Sequence, residues 1–446
     1  MLPAAFQVHD DGSIPKERYT SAAFRDLEME RLWPRVWQIA CREEELAAVG
    51  DFVEYAIGGE SILVVRTAPD AVESFFNACL HRGTRLAQGH GRFDGGAFRC
   101  PYHGWCYGLD GRLRDVPDRD EFANLPSDLR LTPVRTERWG GFVFVNMNPD
   151  AEPLLEFLDP LPSLLAPYRL EEMRLRSYLT TILPANWKTV VDAFNESYHV
   201  QGAHAQILPW TDDTSIAYEQ FRTHAHYGRL PTARRKLAPS PRLGLRPEDV
   251  DEGAILAALV AGLGGAFLKE ERALVDELRA TPAASGTLLA RYQTRRMELL
   301  RARGLDVSGF TPEHMTSADD VYWFPNVVGP IYPGSAILFR VRPNGLDPES
   351  AVKDTWVLEW PRPETAWAMP ERRFFADWRT RNWGEITTQD YENIERQQAG
   401  MRSRGFRGLR LNPRQEGNIL HMHRVIDRYL APPSVIAASS EATVRG

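Results

Sequence analysis

Four cysteines in 446 residues are too few to staple a chain of this length, so the fold must rest on buried apolar side chains, not a disulfide scaffold. The opening MLPAAFQVHDDG lacks the basic flank and apolar core of an export signal, and a reducing cytoplasm is the expected setting. Long apolar runs are also missing. The longest, Gly253 to Leu268, is shorter than a bilayer span and is broken by Gly262, Gly264 and Gly265, so it reads as a buried helix or helical hairpin, with no membrane partner. Positive charge is in deficit: 53 Lys and Arg face 60 Asp and Glu, a net charge of −7, which argues against nucleic acid and leaves a small molecule as the expected ligand. Neither a G-x-G-x-x-G fingerprint nor a C-x₄-C-x₂-C cluster motif occurs, so the chain cannot itself take hydride from a nicotinamide. What remains is a globular composition, 43% hydrophobic and 25% charged, with two domains as the default.

Periodicity divides the chain. Phe24, Leu27, Met29 and Leu32 recur at roughly helical spacing until Pro34 interrupts them, predicting a short N-terminal amphipathic helix. Strand-like runs follow at 51–57, 61–66 and 142–145, separated by Gly-rich turns. A helical stripe then returns at Trp187, Val190, Val191, Phe194 and Tyr198, and helices dominate to Gly304. Strands are expected again at 321–328, 336–341 and 355–360, with a helix over 387–401. The expected division is 1–37 as a helical segment of the second domain, 38–155 as an all-β domain, and 156–446 as a mixed α+β domain.

Inside the β-rich stretch lie Cys79-Leu-His81 and Cys100-Pro-Tyr-His103, two tight pairs with 18 residues between them. A zinc module usually pairs like with like, whereas each loop here offers one thiolate and one imidazole. That mixed set is what a Rieske [2Fe–2S] centre uses: two thiolates hold one iron, and two neutral imidazoles hold the other and raise its potential. Cys41 and Cys106 fall outside the pattern and read as small buried side chains. With their neighbours the pairs spell C-L-H-R-G and C-P-Y-H-G-W, which closely resembles the Rieske non-haem iron oxygenases, the aromatic-ring-hydroxylating family, in its terminal alpha subunit.

A second constellation lies at 186–204. Glu196 and His199 are three apart and predict a shared helix face. His204 is five beyond His199, about 140° away on a straight helix, so both can reach one metal only across a break, which Gly202 is expected to supply. Two imidazoles and a carboxylate with open positions suit a non-haem Fe(II) that binds dioxygen. The stretch resembles the family's mononuclear iron motif, and the resemblance implies that the third ligand is Asp390 in Gln389-Asp390-Tyr391-Glu392-Asn393, with Glu385 and Glu392 as alternatives. It further implies that Asp192 lies next to the iron, against a capping or solvated role of equal weight. Glu196 would link the iron site to a Rieske histidine of a neighbouring subunit. Two H-x-H pairs, His224 with His226 and His421 with His423, read as packing or surface residues. The basic group Arg229, Arg234, Arg235, Lys236, Arg242 and Arg246 reads as a solvated loop.

As a whole the resemblance implies an α+β chain: an antiparallel β Rieske domain joined to a helix-grip catalytic domain, assembled as a homotrimer with or without β subunits. Electrons would come from NAD(P)H through a separate reductase, perhaps with a ferredoxin. The first expectation for the reaction is hydroxylation of a largely apolar, aromatic substrate with dioxygen, in aromatic hydrocarbon catabolism. The alternative is oxidative N- or O-demethylation or another monooxygenation, which Glu196 keeps open because Glu at this position resembles the branch acting on quaternary amines. A Rieske electron carrier without catalysis is the rival from another class, and the second ligand set argues against it.

Overall fold

The computed structural model describes residues 2–228, 238–246, 249–262, 267–281, 287–361 and 366–431. Its contacts divide the chain into two units, Glu28–Phe157 and a larger one made of Met1–Leu27 with Leu158–Gly446.

The smaller unit is built on antiparallel β-structure. Seven strands run in the order Gln38–Arg42, Phe142–Asn146, Pro133–Trp139, Ala71–Phe76, Glu60–Ala68, Asp51–Ile57 and His90–Arg92. Val53 pairs with Val64 and Tyr55 with Ile62, the β-branched and aromatic cross-strand contacts that hold a pleated sheet. The hairpin between them turns at Gly58, at φ +58°, where a Cβ would run into the Met29 sulfur. A separate three-stranded sheet, Ala97–Arg99, Cys106–Gly108 and Leu113–Asp115, carries the second Cys–His loop. Phe52, Leu63, Phe75, Phe98, Trp105 and Tyr107 form one core with Cys79 and Cys100. Each large apolar side chain so buried contributes about 1.5–3 kcal/mol. The cluster loops are thereby anchored in this core.

The larger unit is α+β. Its eight-stranded sheet runs Ala217–Gln220, Ala225–Gly228, Asp319–Trp323, Val327–Tyr332, Ser335–Asn344, Asp347–Glu359, Arg174–Leu183 and Arg372–Phe375. All pairings are antiparallel except the last, which is parallel. The helix Trp187–Asp192 packs on the two long strands Ser335–Asn344 and Asp347–Glu359 and against the helix Glu385–Met401. This is the sheet-around-helix arrangement expected. The strand expected at 321–328 is two strands, because Pro325 cannot donate to a ladder and the chain reverses at 324–326.

Three helices, Glu252–Gly262, Lys269–Ala280 and Leu288–Ala302, pack together over Ile207, Trp210 and Tyr332. Glu271 and Arg296 tie two of them through a fully enclosed ion pair. The apolar run at 253 indeed forms a buried helix, ending at Gly262, while Gly264 and Gly265 lie outside the described residues. No described helix is long and apolar enough to cross a membrane. In the basic stretch Arg242 pairs with Asp213 at 2.7 Å and Arg246 with Asp249 at 2.9 Å, and Arg229, Arg234, Arg235 and Lys236 lie outside the described residues.

Candidate metal centres and active site

In the smaller unit, two tight turns present the four Cys–His side chains. Gly83 donates to the Cys79 carbonyl and Gly104 to the Cys100 carbonyl, and both glycines adopt positive φ, +78° and +76°. The rings of His81 and His103 stand 4.5 Å apart, with His81 stacked on Trp105 at 5.0 Å. His81 Nδ1 is buried without a hydrogen-bond partner, the state of a ring nitrogen meant for a metal. Burial pushes the Cys79 thiol up, and Cys100 beside it adds to the rise despite the opposing pull of Tyr107. Keeping both sulfurs as thiolates therefore calls for a cation between them. Two sulfurs and two imidazoles at these positions fit a [2Fe–2S] Rieske cluster. Cys41 and Cys106 are buried in strands, as expected.

In the larger unit, the helix Trp187–Asp192 starts at Asn186, whose side chain caps Lys188 N, and it stops at Asp192. The next helix, Val200–Ala203, begins only after His199. The expectation that Glu196 and His199 share a helix face is therefore corrected: they meet in the irregular turn between two helices. Gly202 is likewise not the break. It sits inside the second helix, and the chain turns at His204, with φ −127° and ψ 47°.

This turn brings His199 and His204 to Asp390 on the helix Glu385–Met401, with one ligand atom from each within 4.8 Å of the others. His204 Nε2 lies 2.7 Å and His199 Nε2 3.8 Å from Asp390 Oδ1. Two imidazoles and one carboxylate so placed are the donor set of a facial triad. Glu385 is exposed and Glu392 pairs with Arg396 at 3.0 Å, so neither joins it. Burial alone would depress the His199 imidazole, but Glu196 and Asp390 override it and raise it.

Glu196 Oε1 lies 2.5 Å from His199 Nδ1, and its other oxygen accepts from the backbone N–H groups of Tyr198 and His199. The carboxylate thus orients the ring whose Nε2 faces Asp390. Asp192 is enclosed behind it. The H-x-H pairs are packing residues: His224 Nδ1 accepts from Phe324 N and His226 Nε2 faces Asp319 at 3.1 Å. His423 is fully buried against Arg18 and Tyr19, while burial pushes His421 down to about 4.

The triad opens into a cavity of about 430 Å³. Phe194, Trp210, Tyr227, Tyr332, Phe339 and Trp383 contribute to its walls. Charged groups line it too: Arg176, Asp320, Lys353 and Arg381. The sequence reading missed Lys353, an alternating polar position in a long strand whose burial nothing local announces. It also missed the parts played by Gln389, on the helix Glu385–Met401, and by Tyr107, in the short strand Cys106–Gly108, because each acts only through a partner far away in the sequence.

A family model described as the Rieske [2Fe-2S] domain matches residues 36–127, and one described as the ring hydroxylating alpha subunit (catalytic domain) matches residues 168–261 and 262–432. The carnitine monooxygenase oxygenase subunit of Escherichia coli (strain K12) is 37% identical over 195 residues, covering 43% of this chain and 52% of that protein. The matched part thus spans about half the length of that relative. The glycine betaine monooxygenase oxygenase subunit of Chromohalobacter salexigens is 28% identical over 411 residues, covering 89% of this chain and 81% of that protein. Among solved structures, the quaternary ammonium Rieske monooxygenase CntA with L-carnitine shares the fold at a TM-score of 0.65 and 19% identity, covering 96% of this chain and 99% of that one. Naphthalene 1,2-dioxygenase with indole bound does so at 0.61 and 18%, covering 95% and 93%. Because the catalytic-domain match alone runs over more than half of the sequence, and the Rieske match takes in both Cys–His loops, the chain belongs to the ring-hydroxylating oxygenase alpha subunits, enzymes that join a Rieske [2Fe–2S] domain to a mononuclear iron domain.

Proposed function

We propose that the chain is the terminal oxygenase of a multicomponent system and hydroxylates a carbon beside the nitrogen of a quaternary ammonium compound that also carries a carboxylate. The observation that carries this reading is the cavity at the triad, where aromatic side chains stand beside the enclosed Lys353 and Asp320. Ring faces attract a quaternary ammonium through the ring quadrupole. Lys353, with no carboxylate at ion-pair distance among the described residues, complements a substrate carboxylate. The relatives' printed substrates, carnitine and glycine betaine, favour the demethylation alternative over the apolar aromatic expectation. The reaction balances as R₃N⁺–CH₂R′ + O₂ + 2e⁻ + 2H⁺ giving R₃N⁺–CH(OH)R′ + H₂O, and the alcohol then releases R₃N, R′CHO and a proton.

In this reading the smaller unit, Glu28–Phe157, is the cluster domain and the larger one is the iron domain, so that residues 28–37, expected with the iron domain, fall with the cluster domain instead. Cys79, His81, Cys100 and His103 hold the cluster, and His199, His204 and Asp390 hold an Fe(II) that supplies oxygen activation. The chain's own groups do the rest: Glu196 orients His199, Gln389 orients His204, and the aromatic walls exclude water. A separate NAD(P)H-dependent reductase, directly or through a ferredoxin, supplies electrons in the cytoplasm. Glu196 links each iron site to the cluster of a neighbouring subunit in a homotrimer. The test is oxygen and NADH uptake with a surrogate reductase, matched to product, for carnitine, glycine betaine, choline and naphthalene. Coupled amine and aldehyde formation from a carboxylated quaternary amine is expected. Coupled hydroxylation of naphthalene alone would restore the aromatic reading.

A further inference from the structure

Asp192 is held by a hydrogen-bond chain whose polarity can be assigned throughout. Arg18 Nη1 lies 3.0 Å from His423 Nδ1, His423 Nε2 lies 2.7 Å from the Tyr19 hydroxyl, and that hydroxyl lies 2.8 Å from Asp192 Oδ2. All four residues are buried. A guanidinium only donates, so His423 Nδ1 accepts and the ring proton sits on Nε2. Tyr19 therefore accepts from His423 and donates to Asp192. The other oxygen, Oδ1, is enclosed and has no hydrogen-bond partner among the described residues. Asp192 also lines a second cavity, of about 610 Å³, with Glu196, His199, Asp390 and Glu416.

The groups acting on Asp192 are Lys188 and Glu196 from its own segment, Tyr19 from the N-terminal segment and Glu416 from the C-terminal one, with Tyr322 on a sheet strand and His423 behind Tyr19. Burial pushes its carboxyl up to about 8, against Tyr19 and Lys188, and Glu196 and Glu416 add to the rise. Four carboxyl groups around one cavity, those of Asp192, Glu196, Asp390 and Glu416, divide between neutral and charged forms, and the most enclosed, Asp192, takes the proton.

We propose that Asp192 is kept as a neutral acid that gives its Oδ1 proton to the cavity it shares with Glu196 and His199, and that Tyr19 is the positioning residue that fixes this geometry through Arg18 and His423. The inference rests on the oxygenase reading, because hydroxylating one C–H bond consumes two protons per dioxygen. In the step the O–H bond of Asp192 breaks, the carboxylate remains, and water in the cavity returns a proton; no electron moves at Asp192. Arg18 does not release a proton, so the chain orients and does not conduct.

The test uses the intact, metal-loaded protein. An infrared pH titration should show a carboxylic acid C=O band that disappears near pH 8 and is absent in Asp192→Asn. Tyr19→Phe removes a donor to the ionised form, so the midpoint should rise, and the alkaline limb of kcat/KM should rise with it. Asp192→Asn should load both metals yet lose about 10²-fold in product formation. A Tyr19 role limited to packing would lower kcat at every pH and leave the limb in place, and that result overturns the proposal, as does normal turnover in loaded Asp192→Asn. If Asp192→Asn does not load metals, Tyr19→Phe decides alone. The infrared arm needs no substrate: a titrating band with no oxygen uptake on any compound would sink the oxygenase reading instead.

Discussion

Gln389 Oε1 lies 2.7 Å from His204 Nδ1, one residue before the Asp390 carboxylate that faces the other nitrogen of the same ring. Gln206 Nε2 donates to the same Gln389 oxygen at 2.7 Å, which identifies that oxygen as the acceptor. His204 must then carry its proton on Nδ1 and leave Nε2 as the lone-pair donor. Gln389→Leu should lower the affinity for the mononuclear metal about 10–100-fold while the cluster spectrum stays unchanged. Equilibrium dialysis against Fe(II), read beside the visible spectrum, checks this, and unchanged affinity would remove Gln389 from the support of His204.

The cluster has its own supporting residue. Leu80 N donates to the Tyr107 oxygen at 3.0 Å, so the hydroxyl proton faces Cys79 Sγ, 3.3 Å away. A donor to a cluster sulfur withdraws negative charge and raises the potential. Tyr107→Phe should therefore shift the cluster potential downward in a redox titration. His103→Cys, if the cluster still assembles, should shift it further toward the all-thiolate range. A potential that does not move in His103→Cys would strike His103 from the ligands.

Lys353 places a pH dependence on substrate binding. Its ammonium donates to Thr355 Oγ1 at 3.0 Å and the Tyr391 hydroxyl at 3.1 Å, and lies 3.7 Å from the centre of the Phe339 ring. Burial depresses it to about 7, although Asp390 and Asp354 pull the other way. It is a cation below that value and a neutral amine above it. Affinity for a carboxylated quaternary amine should fall as pH rises from about 6 to 9, and Lys353→Met should abolish that trend. Parallel KM profiles for the two proteins would show that Lys353 does not meet the carboxylate.

Glu196→Gln separates electron delivery from metal binding. The amide keeps the shape, yet it can accept through one atom only where the carboxylate accepts through two. Both metals should load and the cluster should reduce normally, while product formation drops about 100-fold. Single-turnover kinetics on well-loaded protein measure this. Near-normal transfer to the iron would end the role of Glu196 as the link between subunits.

Much of the site was legible locally. Cys79-x-His81 and Cys100-x-x-His103 each fit within one tight turn, so the ligand types and their grouping are written in neighbouring residues. The strand at 51–57 and the helix near 387–401 followed from period alone, with boundaries at Asp51–Ile57 and Glu385–Met401. The helix face expected to be shared by Glu196 and His199, and the break expected at Gly202, failed because the helix already stops at Asp192 and the next one, Val200–Ala203, contains Gly202.

By itself, then, the sequence determined which elements the chemistry is made from: two mixed Cys–His loops, an H-x₄-H segment and an acidic helix, each encoded over a few consecutive residues. Only the tertiary structure decided how residues far apart share one environment. Tyr19, Asp192 and His423 are separated by 173 and 231 positions and meet in one buried hydrogen-bond chain. Lys353 becomes a fully buried amine only because Phe194, Phe339 and Tyr391, remote in the sequence, pack against it. Burial and long-range pairing set these charges and orientations, and both depend on the whole fold, not on any local stretch of chain.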